Sequence, residues 1–565
     1  RHYGVDKMRT ARPGDAGTDT SDELEHVRRR HLAWASDTMV GLDARIDLPL
    51  AVGLDRPEEL AAWRADFDRA ADDARAALKW ALHHPDLQAE AFALARLLAA
   101  ACFSRGLLAE SQHRYEHAAE VAADTTQAVD MLLCAGGAAA SRQVGNDSLR
   151  LWRAAADTAS AAGDRGAAAS ALARSAELIM RGSGIIAEKP PEGAQRVLVA
   201  EARALAANDP GAEAAILTAL TFEMDEVDPE TLAIAERAVA TGRALDDPLL
   251  ESAALDGLTA VHLGLGDVDR ALDAVTRRIE LLSHVRPTAL TGFEISDAYN
   301  MASEVSLAAG DFTAARSFAD TLAGLSFQSE EGHLATSRRM RVDALAGEFE
   351  QVLADADRFR RGWEGAGRPV ATNLGSGSYA VAMVHGLRGD DQARDEWLDI
   401  TRALGVDHTW LEGCSTGYAP TFDAIVSLHH GDAEAAFGRL EDDPAGFRHY
   451  YTGEWRTWYA ALYAEAAVLI GHESARDRID RVRPIVAANP TVVAVVDRAA
   501  ALADGDTDRL ASLAEILAGT GCRYQWARTL VLAGGDHAVE GRRAMAELGA
   551  APMAEPALPR GAPHA

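Results

Sequence analysis

Gly413-Cys414-Ser415-Thr416-Gly417 matches G-x-S-x-G, the strand-to-helix turn on which a hydrolase presents a nucleophilic serine. That chemistry needs an apolar strand ahead of the serine. The preceding "GVDHTWLE" is not one, so the segment reads as a loop between helices. A hydrolase using Ser415 stays a remote alternative. His113 and His117 fall at i, i+4 in "HRYEH", a spacing that can set two imidazoles on one metal. The metalloprotease motif H-E-x-x-H needs Glu after the first His, and that position is Arg114. With no third ligand in view, a solvated helix face is expected there. His429-His430 precede a Gly-Asp corner, where an imidazole suits the end of a helix dipole without any metal.

Two Gly/Ser segments, Arg181–Gly184 and Asn373–Tyr379, hold at most Gly375-Ser376-Gly377 of a dinucleotide fingerprint. They read as flexible loops. A P-loop needs Lys after Gly, and none of Lys7, Lys79 or Lys189 follows one. Cys102, Cys134, Cys414 and Cys522 are dispersed without C-x-x-C, which suits reduced, mostly buried thiols in a cytoplasmic protein. The expectation is a chain with no catalytic, cofactor-binding or metal-binding residue of its own, and not an enzyme.

The most informative cluster is aromatic. Residues 397–463 hold nine of the 20 Trp and Tyr residues. Trp455, Tyr459 and Tyr463 fall at i, i+4, i+8 on one helix face. Such residues combine apolar area with a polar tip, which suits a groove or pocket. A stripe at helical spacing equally fills gaps between alanine-rich helices, and that core reading is the favoured one. If the chain binds a ligand or partner, the residues to test are Trp410, Tyr418, Tyr451, Trp455, Arg456, Trp458 and Tyr459, with Arg448 and His449 as further polar anchors.

The elements that position these residues follow from composition and repetition. The chain has 565 residues, 48% apolar but only 6% aromatic, with alanine the commonest type. Alanine favours helix over strand, so an all-β fold is excluded. The net charge of −30 opposes binding to nucleic acid or anionic membrane through any broad surface. The longest unbroken apolar run, Leu97–Phe103, falls far short of a membrane span. A recurring Gly-Asp-like corner stands at Gly266, Gly310, Gly347, Gly389, Gly431, Gly471, Gly505 and Gly535, spaced by 44, 37, 42, 42, 40, 34 and 30 residues. Weaker versions occur at Gly106, Gly145-Asn146 and Gly163-Asp164. Gly ends one helix in the left-handed conformation and Asp caps the next. A period near 40 holds two helices and two turns. The fold expected is all-α: a tetratricopeptide-like helical-repeat superhelix, an α-solenoid of about twelve helix pairs. Its clearest unit is 249–283, and small residues such as Ala253, Ala254 and Gly257 let its helices approach closely.

Four regions are expected. Residues 1–46 carry the end of a preceding domain and a charged connecting helix. Residues 47–190 hold the first helical repeats, after a linker with Pro49 and Pro57. Pro190-Pro191 breaks the pattern, and 191–550 form the repeat array. The proline-rich tail 551–565 is expected to be disordered.

Several anchors resemble a known family. "RHYGVDKM", "ELEHVRRRHLAWA" and "AAWRADFDRAADDARAALKWAL" occur in order. They are similar to the junction in actinobacterial STAND-class regulators, the signal-transduction ATPases of the LuxR-like, NB-ARC and SARP groups. In that family an R-x-Y-[AG] helix, here Arg1, Tyr3 and Gly4, ends a winged-helix domain. An R-x-R-H helix follows, here Arg28, Arg30 and His31. A helix carrying Trp63, Phe67, Arg75, Leu78 and Trp80 then opens the tetratricopeptide array. The resemblance covers about the first 85 residues, and beyond them only degenerate repeats, with "YQWARTLVLAGGDHAVEGRRAMAELGAAPM" like a last repeat. It implies a non-enzymatic, signal-sensing and protein-interaction arm of an ATP-dependent transcriptional regulator. Its partners would be the chain's own upstream ATPase domain and a protein or small-molecule signal docking in the concave groove. ATP and Mg would belong to that upstream domain, and nucleic acid to a separate output domain. Arg rather than Met at position 1 fits a chain that begins inside a longer protein. The alternative is a free-standing tetratricopeptide-like scaffold that binds a peptide or protein.

Overall fold

Six Gly-Asp corners share one geometry. At Gly266 the backbone turns left-handed (φ 80°), the Asp267 amide donates back to the His262 carbonyl at 2.8 Å, and the Asp267 carboxylate accepts from the Arg270 amide. Asp164, Asp311, Asp390, Asp432 and Asp506 cap their helices in the same way. The first pair of groups closes one helix and the second opens the next, so the chain reverses within two residues.

The other corners differ, for local reasons. Gly347 is left-handed, but the longer Glu348 side chain makes no cap bond. After Gly471 the cap position falls to Ser474. Gly535 is already the first residue of its helix, with Gly534 at the cap, so Asp536 lies in the first turn and not at the corner. Gly145 likewise begins a helix, and Gln143 takes the positive φ instead. A second corner type went unread in the sequence: Asp209-Pro210, Asp228-Pro229, Asp247-Pro248 and Asn489-Pro490 pair a capping side chain with Pro at the first helical position.

The computed structural model describes residues 20–206, 208–222, 228–328, 332–406, 417–447 and 450–553. Among them 27 α-helices follow one another and no strand occurs. Each helix packs chiefly on its chain neighbours, as a helical-repeat solenoid requires. The expected 249–283 unit is the pair Pro248–Leu265 and Val268–Ser283.

Two layers result. Inner helices such as His333–Ala346 bury every residue but Arg339. Outer helices such as Asp391–Ala403 bury little beyond Trp397 and Thr401. Alanine and glycine on the inner layer let successive turns of the superhelix meet. A Cβ at Gly453 would lie 2.8 Å from the Leu263 carbonyl, so Gly is required where those turns touch. Asn489 donates to the Ala308 carbonyl at 2.9 Å, and Asn373 donates to Gln143 at 2.8 Å. These contacts tie inner helices that are distant in the chain to one another.

Three boundary regions refine the expectation. Thr20–Arg45 is the charged helix, and the remnant of a preceding domain would fall on residues 1–19, outside the described residues. The expected linker holds a short helix, Leu50–Leu54, tied to the array by the Leu50 amide on the Val285 carbonyl, and Pro57 opens the helix Pro57–Ala81. Trp63, Phe67, Ala71, Ala74 and Leu78 form its buried face, as their spacing requires. Pro85–Arg105 is long and apolar enough, by length and composition, to cross a membrane. In the fold its Ala91, Leu94, Leu98 and Cys102 lie in the core. At the other end, 551–553 are ordered where disorder is expected. The Ala551 amide donates to the Leu387 carbonyl at 2.8 Å and Met553 is buried. Residues 554–565 lie outside the described residues.

Candidate functional site

A cavity of about 430 Å³ opens where distant repeats meet. Its walls come from helices Arg165–Arg181, Gly292–Ala308, His333–Ala346, Gly375–Arg388, Tyr418–His429 and Tyr450–Leu469. Two 3-10 turns, Ser183–Ile185 and Thr372–Leu374, complete it. These turns correct the expectation of flexible Gly/Ser loops. Gly375–Tyr379 is the buried first turn of a helix, and a Cβ at Gly184 would lie 2.8 Å from Asn373 Cβ. The two segments form the wall by packing on each other.

One wall is polar. Asp297, Asn300 and Glu304 lie one turn apart along one inner helix, facing Arg338 and Arg341 on the next. Arg341 pairs with Glu304 and reaches Ser376 Oγ at 3.3 Å. Arg338 donates to the Asn373 carbonyl at 2.5 Å. Arg338, Arg341, Glu304 and Ser376 are each more than nine-tenths buried, so their positions are set by packing. Ile185, Phe293, Met301 and Val406 supply apolar lining, Phe293 and Met301 from the same helix as Asp297, Asn300 and Glu304. Tyr418 and Trp455 meet there edge to face, ring centroids 6.1 Å apart.

Behind the polar wall sits a buried ion cluster. Arg181 contacts Asp256, Glu294 and Asp297, each at 2.6 Å, and Glu177 at 2.8 Å. Arg278, fully buried, pairs with Asp256, with Glu294 at 2.7 Å and with Asp297 at 2.9 Å. Ser252 donates to Glu294 at 2.5 Å. Two guanidinia thus face four carboxylates. Burial opposes ionisation of Glu294, but Arg181, Arg278 and the Ser252 hydroxyl outweigh it and hold the carboxyl down at about 2. Burial wins at Asp256 and pushes it up to about 6, against the pull of both arginines. Burial also raises Glu177.

A second cluster lies away from this cavity. Glu465 receives Arg498 and Arg528, each at 2.6 Å, with all three side chains buried. Arg498 also donates to Gln525 and Thr529 at 2.9 Å. Burial opposes the charge on Glu465, but both arginines outweigh it and keep its carboxyl below the usual range. Nearby, burial lowers His429 to about 4, helped by His430. Its Nε2 lies 2.9 Å from the Ala551 carbonyl and its Nδ1 3.3 Å from the Tyr524 hydroxyl.

The aromatic candidates divide. Tyr418 and Trp455 line the cavity. Trp458, Tyr459 and Tyr463 are core residues, as the spacing alone favoured. Arg456 donates to the Pro444 carbonyl at 2.8 Å and is not among the cavity residues. Trp410, Ser415, Arg448 and His449, and the side chain of Tyr451, lie outside the described residues. His113 and His117 lie with ring centroids 4.0 Å apart and planes tilted by 56°. Among the described residues no group of three or more His, Cys, Asp or Glu could hold a metal. Sequence reasoning missed Arg181, Arg278, Asp297, Glu304, Arg338 and Arg341. A signal was present: acids at positions 294, 297 and 304 recur at helical spacing in a helix with no basic residue.

No protein-family model matches the chain, and no curated protein matches it. Among solved structures it is similar to a circular tandem repeat protein with novel repeat topology and enhanced subunit contact surfaces. That protein is 13% identical over 91% of this chain and 95% of the other, at a TM-score of 0.13.

Proposed function

We propose that this chain is a non-enzymatic sensing arm that takes a small molecule in its central cavity. On this reading it serves an ATP-dependent regulator of the STAND class, whose ATPase and DNA-binding parts are separate domains. One observation carries the sensing role: the cavity wall joins residues from Arg181 to Trp455, so an occupant touches repeats that are not chain neighbours. A ligand held there favours one winding of the superhelix over another, which is the differential affinity a switch needs. The resemblance in the first 85 residues supports the regulator assignment. The helical-repeat fold is equally suited to protein interaction, so a free-standing scaffold that binds a peptide or protein is the second reading.

The test uses the full-length protein. A cavity-filling Ser376→Trp substitution is expected to leave helix content intact and remove ligand-induced thermal stabilisation. If an ATPase domain is fused upstream, the same variant should uncouple ATP hydrolysis from the signal. Signal-dependent hydrolysis unchanged by Ser376→Trp overturns the reading.

A further inference from the structure

We propose a second ligand site, separate from the central cavity: a pocket in the first repeats that takes a neutral, largely apolar small molecule. Its volume of about 540 Å³ falls in the range of small-molecule sites, roughly 300–1,000 Å³. The pocket forms where the chain passes from the charged helix Thr20–Arg45 to the helix Pro57–Ala81, through a segment carrying Pro49 and the short helix Leu50–Leu54. Two pins hold that segment against the loop after Val268–Ser283. The Leu50 amide donates to the Val285 carbonyl at 2.9 Å, and Arg286 meets Asp43 at 2.6 Å and Asp47 at 3.1 Å. Arg64 donates to the Ser326 carbonyl at 3.3 Å and fixes a further wall. The lining comes from five stretches of chain, within 45–50, 53–63 and 324–326 and at Ser104 and Pro287. Walls on that many sides surround an occupant, which suits a small molecule better than the flat face of a protein.

The lining is mostly aliphatic: Ile46, Leu48, Leu50, Leu54, Leu60 and Leu325. Trp63 is buried, and its Nε1 already donates to the Leu42 carbonyl at 3.0 Å. The charged lining residues are exposed and paired, Arg45 with Asp66 at 2.6 Å and Arg56 with Glu59 at 3.3 Å. An ionic head group would have to break one of these pairs to gain a partner, and otherwise loses its hydration uncompensated. A neutral molecule meets neither cost. Ser104 adds one polar requirement. It lines the pocket, is more than nine-tenths buried, and makes no hydrogen bond through its hydroxyl to any described residue. A hydroxyl both donates and accepts, so a single hydroxyl or carbonyl oxygen on the ligand satisfies it. The occupant is a hydrocarbon body with one neutral oxygen.

The test titrates the full chain with N-phenyl-1-naphthylamine, a neutral dye that fluoresces in apolar surroundings. Ala62→Trp, at an exposed lining position, fills the pocket and should weaken dye binding at least tenfold. Ser376→Trp, which fills the central cavity, should leave dye binding within twofold, so the two sites stand or fall separately. 1-Decanol should displace the dye at a concentration at least ten times lower than decanoate or decylamine. Ser104→Ala should weaken decanol about fivefold and the dye less than twofold, and serves if Ala62→Trp fails to fold. No dye binding overturns the proposal, as does dye binding lost in Ser376→Trp but kept in Ala62→Trp. Equal displacement by decanol and its charged analogues overturns the neutral assignment, and decanol binding unchanged by Ser104→Ala overturns the hydroxyl contact. A dimer in sedimentation that Ala62→Trp dissociates assigns the pocket to a second copy of the chain and overturns the proposal too.

Discussion

Glu294 and Glu465 each sit between two buried arginines, yet the two sites do different work. Glu465 joins Arg498 and Arg528 from neighbouring helices, and the neutral Gln525 and Thr529 take up further N–H groups. That cluster is closed and ties one repeat to the next. Glu294 joins Arg181 and Arg278, and the remaining N–H groups meet three more carboxylates. That cluster reaches across the superhelix, and Arg181 and Asp297 also line a cavity. Neutral partners make a buried ion pair insensitive to pH near neutrality. Burial, with smaller help from the neighbouring carboxylates, pushes one of them, Asp256, up to about 6. The difference separates a structural bond from a polarised wall.

Several variants test that contrast, the largest effect first. Glu465→Gln strands two buried guanidinia and should cost about 4 kcal/mol in urea unfolding, equally at pH 5 and pH 8. Arg181→Met leaves four carboxylates with one arginine and should cost about 3 kcal/mol at pH 8. That loss should shrink toward pH 5 as the carboxyls protonate, and a pH-independent loss would erase the distinction between the clusters. His429 gives the closed region its own acid sensitivity. An unfolded imidazole protonates near pH 6.5, while the buried ring resists down to about 4. Stability should therefore fall as pH drops through that window, by up to about 3 kcal/mol. His429→Gln should flatten that slope. Asp267→Ala and Asp506→Ala, which remove a cap in each half, should each cost about 1 kcal/mol at any pH above 5. Equal values would show that the halves differ in their ion clusters and not in their corners.

Much of the fold was legible. The Gly-Asp pairs predict helix reversals because both effects act within four residues of the corner. The reading failed where a neighbour changed the local rule, as at Gly534-Gly535, or where Pro57, placed in a linker, opened a helix instead. The site was less legible. Trp455 and Tyr418 stood out by type, but nothing local separates Trp455, a core residue that also edges the cavity, from Trp458, a core residue one turn away that does not. The cavity arginines were invisible among a large number of arginines. Their partners lie on other repeats, 35 residues away for Arg338, 37 for Arg341 and 116 for Arg181.

By itself the sequence determined helix, corner, period and the amphipathic outer faces, since each depends on residues within one or two turns. Tertiary structure alone decided which inner helices meet, and so where a cavity remains. Small rotations from each repeat add along the solenoid. Only their sum brings Arg181, Glu294, Arg338 and Trp455 to one place.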